Sequence, residues 1–194
     1  DDRRKKLLEA AFVLLGEQGS AAVTMRAVIR DAQLSPRYFY ESFPDRADLL
    51  VAVFDVALQQ LQERVTAAMA EASTDPVMQT RAAFSAVASV FEHDPRIARI
   101  MLREALAEAA LRDHAYAALS LFISTSSLNL LDESWYRQTD PVMLRLDISA
   151  LAGTSLSVFL DWTEGRLDIT QQQLVDYLTD TVDGMVRRRL NSTR

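Results

Sequence analysis

The chain has 194 residues, 21 Lys and Arg against 27 Asp and Glu for a formal net charge of −6, 49% hydrophobic residues and no Cys. That length supports one or two compact domains with a sizeable core, and the lack of Cys excludes disulfides, thiolate metal sites, iron–sulfur clusters and cysteine nucleophiles. Acidity argues against a nucleic-acid partner, but it is unevenly placed: residues 1–46 hold eight basic and seven acidic groups, residues 47–194 thirteen and twenty.

Five Gly and five Pro punctuate the sequence sparsely, and β-branched alternation is nowhere sustained. The expected fold is therefore all-α, with about nine helices. From Arg3, the apolar positions Leu7, Leu8, Ala11, Phe12, Leu14 and Leu15 recur at helical spacing until Gly16 and Gly19 close the segment. Thr24 caps a short second helix carrying Met25, Val28 and Ile29. After Gln33-Leu34, Ser35 caps a third, with Pro36 at its first position and Pro44 as its stop.

Asp45 caps a long fourth helix to about Ala72, and Asp75-Pro76, Asp94-Pro95 and Asp140-Pro141 each open a later one. The seventh, about Asp113 to Arg137, is apolar nearly all round, which predicts burial, yet it holds Ser124, Thr125, Ser126, Ser127 and Asn129. Those hydroxyls either bond the carbonyl four residues back or line a cavity. Thr170 and Gln173 have capping-box spacing and open the last helix.

The longest stretch without a charge or His, Ala115–Leu131, is short of the ~20 apolar residues that cross a bilayer. No membrane span is expected, and the cytoplasm is the expected compartment. Asp1 to Lys6 are all charged and lead straight into a helical pattern, so no signal peptide is visible, while the missing initiator Met suggests an upstream segment.

Enzyme chemistry is poorly provided for. His93 and His114 do not stand at i, i+4 from a second His, the glycines form no phosphate-cradling loop, and no Ser sits in a G-x-S-x-G setting. No catalytic residue, metal ligand or cofactor is expected, and His93 reads as a helix-terminal residue.

The informative stretch is Thr24–Leu49. Two short capped helices joined by a few turn residues have helix-turn-helix spacing, in which the second helix enters the DNA major groove. That second helix reads Ser35-Pro36-Arg37-Tyr38-Phe39-Tyr40-Glu41-Ser42-Phe43-Pro44-Asp45-Arg46 before Leu49. Here the chain resembles the tetracycline-repressor (TetR) family of bacterial transcriptional regulators, whose signature has a Ser cap, a Tyr five residues on, then Phe-Pro, a basic residue and a Leu.

The resemblance covers roughly Arg3 to Leu50 and implies a DNA-binding domain over 1–46 and an effector-binding and dimerisation domain over 47–194. It implies that Thr24 and Ser35 both cap helices and touch phosphates, that Tyr40 and Arg46 contact the backbone, and that Arg37 and Tyr38 read bases. The chemistry agrees: arginine can grip guanine O6 and N7, and tyrosine can touch a thymine methyl. Pro36 opens the reading helix, and Arg26 and Arg30 add sequence-independent attraction.

Phe39 and Phe43, four apart, are expected in the core of the small domain. Two departures stand out: Gln33 occupies a position where a turn glycine is common, and Glu41-Ser42 replaces a pair often basic and aromatic. Glu41 would repel a phosphate, so it either points away from DNA or weakens binding.

For the rest of the chain the resemblance implies a cavity for a small apolar effector, walled by Phe84, Phe91, Met101, Tyr116, Phe122, Ser126, Trp135 and Phe159. The last two helices read as a homodimer surface through Leu151, Ala152, Gly153, Leu156 and Phe159 and through Leu174, Tyr177, Leu178, Val182 and Met185. A dimer implies a near-palindromic double-stranded operator. The expected activity is ligand-relieved repression. The alternative is a helical ligand-binding or protein-interaction dimer that has lost DNA binding.

Overall fold

The computed structural model describes the backbone of residues 2–130 and 140–192 and the side chains of residues 2–126 and 140–188. Among the described residues there are nine longer helices, one 3-10 turn (Ser20–Ala22) between the first two, and no strand. They are α1 (Asp2–Gln18), α2 (Met25–Asp31), α3 (Pro36–Ser42), α4 (Arg46–Glu71), α5 (Pro76–His93), α6, α7 (Ala109–Leu130), α8 (Pro141–Thr163) and α9 (Gln171–Ser192). α6 is composite, with α-helical turns Pro95–Ala98 and Ala105–Ala107 flanking a π-helical segment Arg99–Glu104.

Local side-chain chemistry sets most helix starts. Asp45 accepts from the Asp48 amide, Asp75 from Met78, Asp94 from Arg96 and Asp140 from Val142. Each satisfies an amide that has no partner within its helix. Thr170 and Gln173 bond reciprocally, so the capping box forms as expected. Thr24 caps α2 by accepting from Ala27, whereas Ser35 takes the N-cap conformation without a side-chain bond to α3.

The chain packs as two units, Asp1–Gln60 with His93–Tyr116, and Leu61–Glu92 with Ala117–Arg194. This division differs from the expected boundary at residue 46, because α6 packs on α1. In the first unit, Leu7, Ala11 and Leu15 of α1 are buried, as are Val28, Phe39, Phe43, Leu49, Leu50 and Val53, and Ile97, Ile100 and Leu102 of α6. Gly16 marks the closest approach, since a Cβ there would lie 2.4 Å from Arg96 Cβ. His114 of α7 bonds Asp55 of α4 at 2.6 Å beside the Phe54 ring.

In the second unit α5, α8 and α9 pack together. Phe84 and Phe91 of α5 meet Phe159 of α8, which also meets Trp162. α9 reaches α5 through Gln171 to Ser89 and through an Arg81–Asp176 ion pair. Gly165, with φ 70°, turns the chain after α8.

One expectation is corrected. α7, apolar nearly all round, is not enclosed within the protomer: Tyr116 and Leu121 are exposed, Leu121 at 65%. Of its polar groups, Ser124 and Thr125 bond the carbonyls of Ser120 and Leu121, four residues back. α8, despite Arg145, Asp147 and Asp161, has a window of mean hydropathy 1.4 and is long and apolar enough to cross a membrane by length and composition alone.

Candidate nucleic-acid interface

α2 and α3 are short, seven residues each, and are held in place by what they bury: Val28 from α2 and Phe39 from α3, with Phe43 just beyond. Phe39 and Phe43 are core residues, as expected, with their ring centroids 6.2 Å apart. The turn between the helices passes through Gln33 at φ 54°, a left-handed conformation that favours glycine. The sequence departure at Gln33 thus coincides with the backbone position where glycine would be easiest.

Burying those faces turns others outward. Thr24, Arg26, Ser35, Pro36, Arg37 and Tyr40 are all exposed. Tyr40 is 61% exposed, with its ring edge-on to Phe39. Tyr38 is half-buried under the guanidinium of Arg3, whose carbon lies 4.1 Å from the ring centroid. Arg4 lies similarly over Phe43 at 4.9 Å, so the start of α1 flanks α3.

Two arginines of this surface pair with neighbours. Arg37 Nε donates to Glu41 Oε1 at 2.7 Å, which raises the arginine pKa above its ordinary value. Arg30 donates to Asp31 at 2.7 Å and holds that carboxyl below the usual range. Glu41 therefore faces Arg37 on the same helix face.

Arg46 is placed differently from the motif expectation. Its Nε donates to the Val23 carbonyl at 2.8 Å, and one terminal nitrogen donates to the Ser20 carbonyl at 2.6 Å and to Glu108 at 3.1 Å. Both carbonyls lie in the connection between α1 and α2, where a 3-10 turn, Ser20–Ala22, already directs the Val23 amide at the Ser20 carbonyl, so Arg46 adds a second donor there and a side-chain donor at Val23. Glu104 completes the arrangement from α6: it is 5% exposed and accepts from the Ser20 amide at 2.9 Å and from Arg99 at 3.2 Å. Arg99 also donates to the Glu17 carbonyl. Gly19, at φ 88°, leaves no room for a Cβ between Arg99 and Glu104.

Sequence reasoning missed Glu104, Arg99 and Glu108, because each meets a partner more than 60 residues away, at Ser20 after α1, at Glu17 in its last turn, or at Arg46. Their signal is weak: carboxylates in an apolar stretch that needs partners if buried.

The candidate effector residues separate. Phe84, Phe91 and Phe159 come together in the second unit, where Phe122 and Ser126 are half-buried on α7. Met101 is buried in the first unit, and Tyr116 is an exposed residue of that unit. Trp135 lies outside the described residues.

The candidate dimer residues separate too. Ala152, Phe159, Leu174 and Leu178 are buried within the protomer itself. Gly153 and Tyr177 are exposed, and Leu151, Leu156, Val182 and Met185 are half-buried. Val142, Met143 and Leu146 on α8 are exposed and were not among the expected residues. Among the described residues no three His, Asp or Glu are grouped to hold a metal ion.

Residues 7–53 match the family model of bacterial regulatory proteins, tetR family. The HTH-type transcriptional regulator BetI of Rhizobium meliloti (strain 1021) is 39% identical over 72 residues, covering 37% of this chain and 36% of BetI. The aligned part of the chain thus spans about a third of that relative's length. The HTH-type transcriptional repressor KstR of Rhodococcus jostii (strain RHA1) is 24% identical over 87% of this chain and 76% of KstR. In structure, a putative transcriptional regulator from Pseudomonas aeruginosa PAO1 superposes with a TM-score of 0.74 at 18% identity, covering 100% of this chain and 94% of that one. At that identity the likeness shows the fold.

Proposed function

We infer the role of this chain from the premise that its N-terminal domain belongs to the tetR family of bacterial regulatory proteins: it is a DNA-binding transcriptional regulator and not an enzyme. The observation that carries this reading is the outward face of α2 and α3. Thr24, Arg26, Ser35, Pro36, Arg37 and Tyr40 stand exposed on a helix pair whose apolar residues are committed to the core. In a helix-turn-helix the second helix enters the major groove, so Arg37 and Tyr38 are placed to meet bases and Thr24, Ser35 and Tyr40 to meet phosphates. Arg46 serves by clamping the loop before α2.

The regulator acts as a homodimer through α8 and α9. Val142, Met143 and Leu146 leave an exposed apolar stripe on α8, and Gly153 and Gly184 have open space above them, as a close helix–helix approach requires. Two-fold pairing doubles the reading helix and selects a near-palindromic operator. KstR is named as a repressor, and repression relieved by a small apolar effector in the second unit, near Phe84, Phe91 and Phe159, fits the aromatic chemistry there. Such an effector shifts DNA affinity only by its differential affinity for two states, typically 1–3 kcal/mol. A working protein of this kind operates in the cytoplasm, where the chromosome is.

A mobility-shift titration against the DNA upstream of the protein's own reading frame, with and without candidate apolar compounds, tests the reading. Specific retention that a compound abolishes supports it. No preference for that DNA over random duplex overturns it.

A further inference from the structure

Arg37 and Glu41 occupy one face of α3 a single turn apart, and both are exposed, the Arg37 side chain at 82% and the Glu41 side chain at 46%. An exposed pair at this spacing contributes little to the stability of a helix. What it changes is the guanidinium. Arginine carries five donors in one rigid plane. With Nε donating to Glu41 at 2.7 Å, one edge of that plane is engaged and the terminal nitrogens can serve another acceptor. Gripping guanine O6 and N7 needs two parallel N–H groups in a fixed plane, and an arginine already held there gives up less side-chain freedom on binding.

The same carboxylate acts against the wrong complex. Non-specific association is dominated by phosphates, and a negative group on the reading face raises its cost at every register. In the correct register the charge of Glu41 is matched by Arg37.

We propose that Glu41 is a positioning residue for DNA reading: it holds the Arg37 guanidinium edge-on to a guanine, so that the two side chains form one specificity-determining unit. This rests on the DNA-binding role proposed above, and the test separates the two. Duplexes are selected from a random pool with the full wild-type chain, and base preference and affinity are then measured for Glu41→Ala, Glu41→Gln, Arg37→Ala and the Arg37→Ala/Glu41→Ala double variant. Thermal melting checks that each is folded.

Glu41→Ala is expected to lower affinity for the selected duplex about tenfold, through lost preference at one base pair per half-site, while affinity for random duplex stays level or rises. Glu41→Gln, which keeps an acceptor oxygen, falls between it and the wild type. In the Arg37→Ala background, removing Glu41 leaves base preference unchanged. An equal rise on selected and random DNA reduces Glu41 to simple repulsion and overturns the proposal, and unchanged preference in Glu41→Ala overturns it as well. A preference that Glu41 still governs without Arg37 overturns it in favour of a direct base contact. A wild-type chain that selects no sequence defeats the DNA-binding reading itself.

Discussion

On the outward face of the first unit, Arg26, Ser35, Arg37 and Tyr40 are exposed, and Arg37 bonds Glu41 of its own helix. On another side of the same unit, Arg46, Arg99, Glu104 and Glu108 bind loop carbonyls, a loop amide and each other across α1, α4 and α6. Arg37 and Arg46 belong to one motif and carry the same charge, yet their chemistry has opposite destinations. The difference is what lies within reach: the carbonyls of Val23 and Ser20 and the carboxylate of Glu108 draw Arg46 inward, whereas Glu41, one turn along the same helix, holds Arg37 on the outward face.

The comparison is sharpened most by Glu104→Ala. Removing a buried carboxylate that holds Arg99 and the Ser20 amide should cost about 3 kcal/mol of unfolding free energy, measured by urea denaturation. An unchanged midpoint would mean that the inward cluster does not hold the loop. Arg46→Ala should cost about 2 kcal/mol by the same measurement, because two loop carbonyls and Glu108 lose a partly buried charged donor. If instead stability is preserved and the salt dependence of DNA binding becomes shallower, Arg46 is a phosphate contact after all.

Arg37→Ala should reverse that pattern. Its stability effect stays within about 0.5 kcal/mol, as for most surface changes, while operator binding loses about 1–3 kcal/mol focused on one position. A titration on single-base operator variants reads this directly. The smallest effect is Gln33→Gly, which relieves a side chain at φ 54° and should leave stability level or raise it by under about 1 kcal/mol in thermal melting. A clear loss there would show that the Gln33 side chain makes a contact worth more than the backbone strain.

How much of this was legible depended on sequence separation. The starts at Pro76, Pro95 and Pro141 could be read because an aspartate caps amides two or three residues ahead, and the helix-turn-helix because Thr24, Pro36, Phe39 and Phe43 act within a few residues of one another. Gln33 was visible as a departure before its left-handed backbone explained it. The role of Arg46 was not legible, since its partners lie 23, 26 and 62 residues away. The same holds for α6, whose docking on α1 at Gly16 decides the unit boundary. Apolar periodicity also cannot sort the dimer residues: it marks a face as buried without telling a protomer's own core, which holds Phe159 and Leu178, from a partner's surface.

The most direct test of the central claim is hydroxyl-radical footprinting of the full chain on a duplex selected by it from random sequence, run beside Arg37→Ala. The expected result is two symmetric protected half-sites, spaced about one turn of the duplex or a multiple of it, with protection lost in the variant. A pool in which no sequence is enriched, or a footprint that Arg37→Ala leaves intact, would contradict the assignment of α3 as the reading helix.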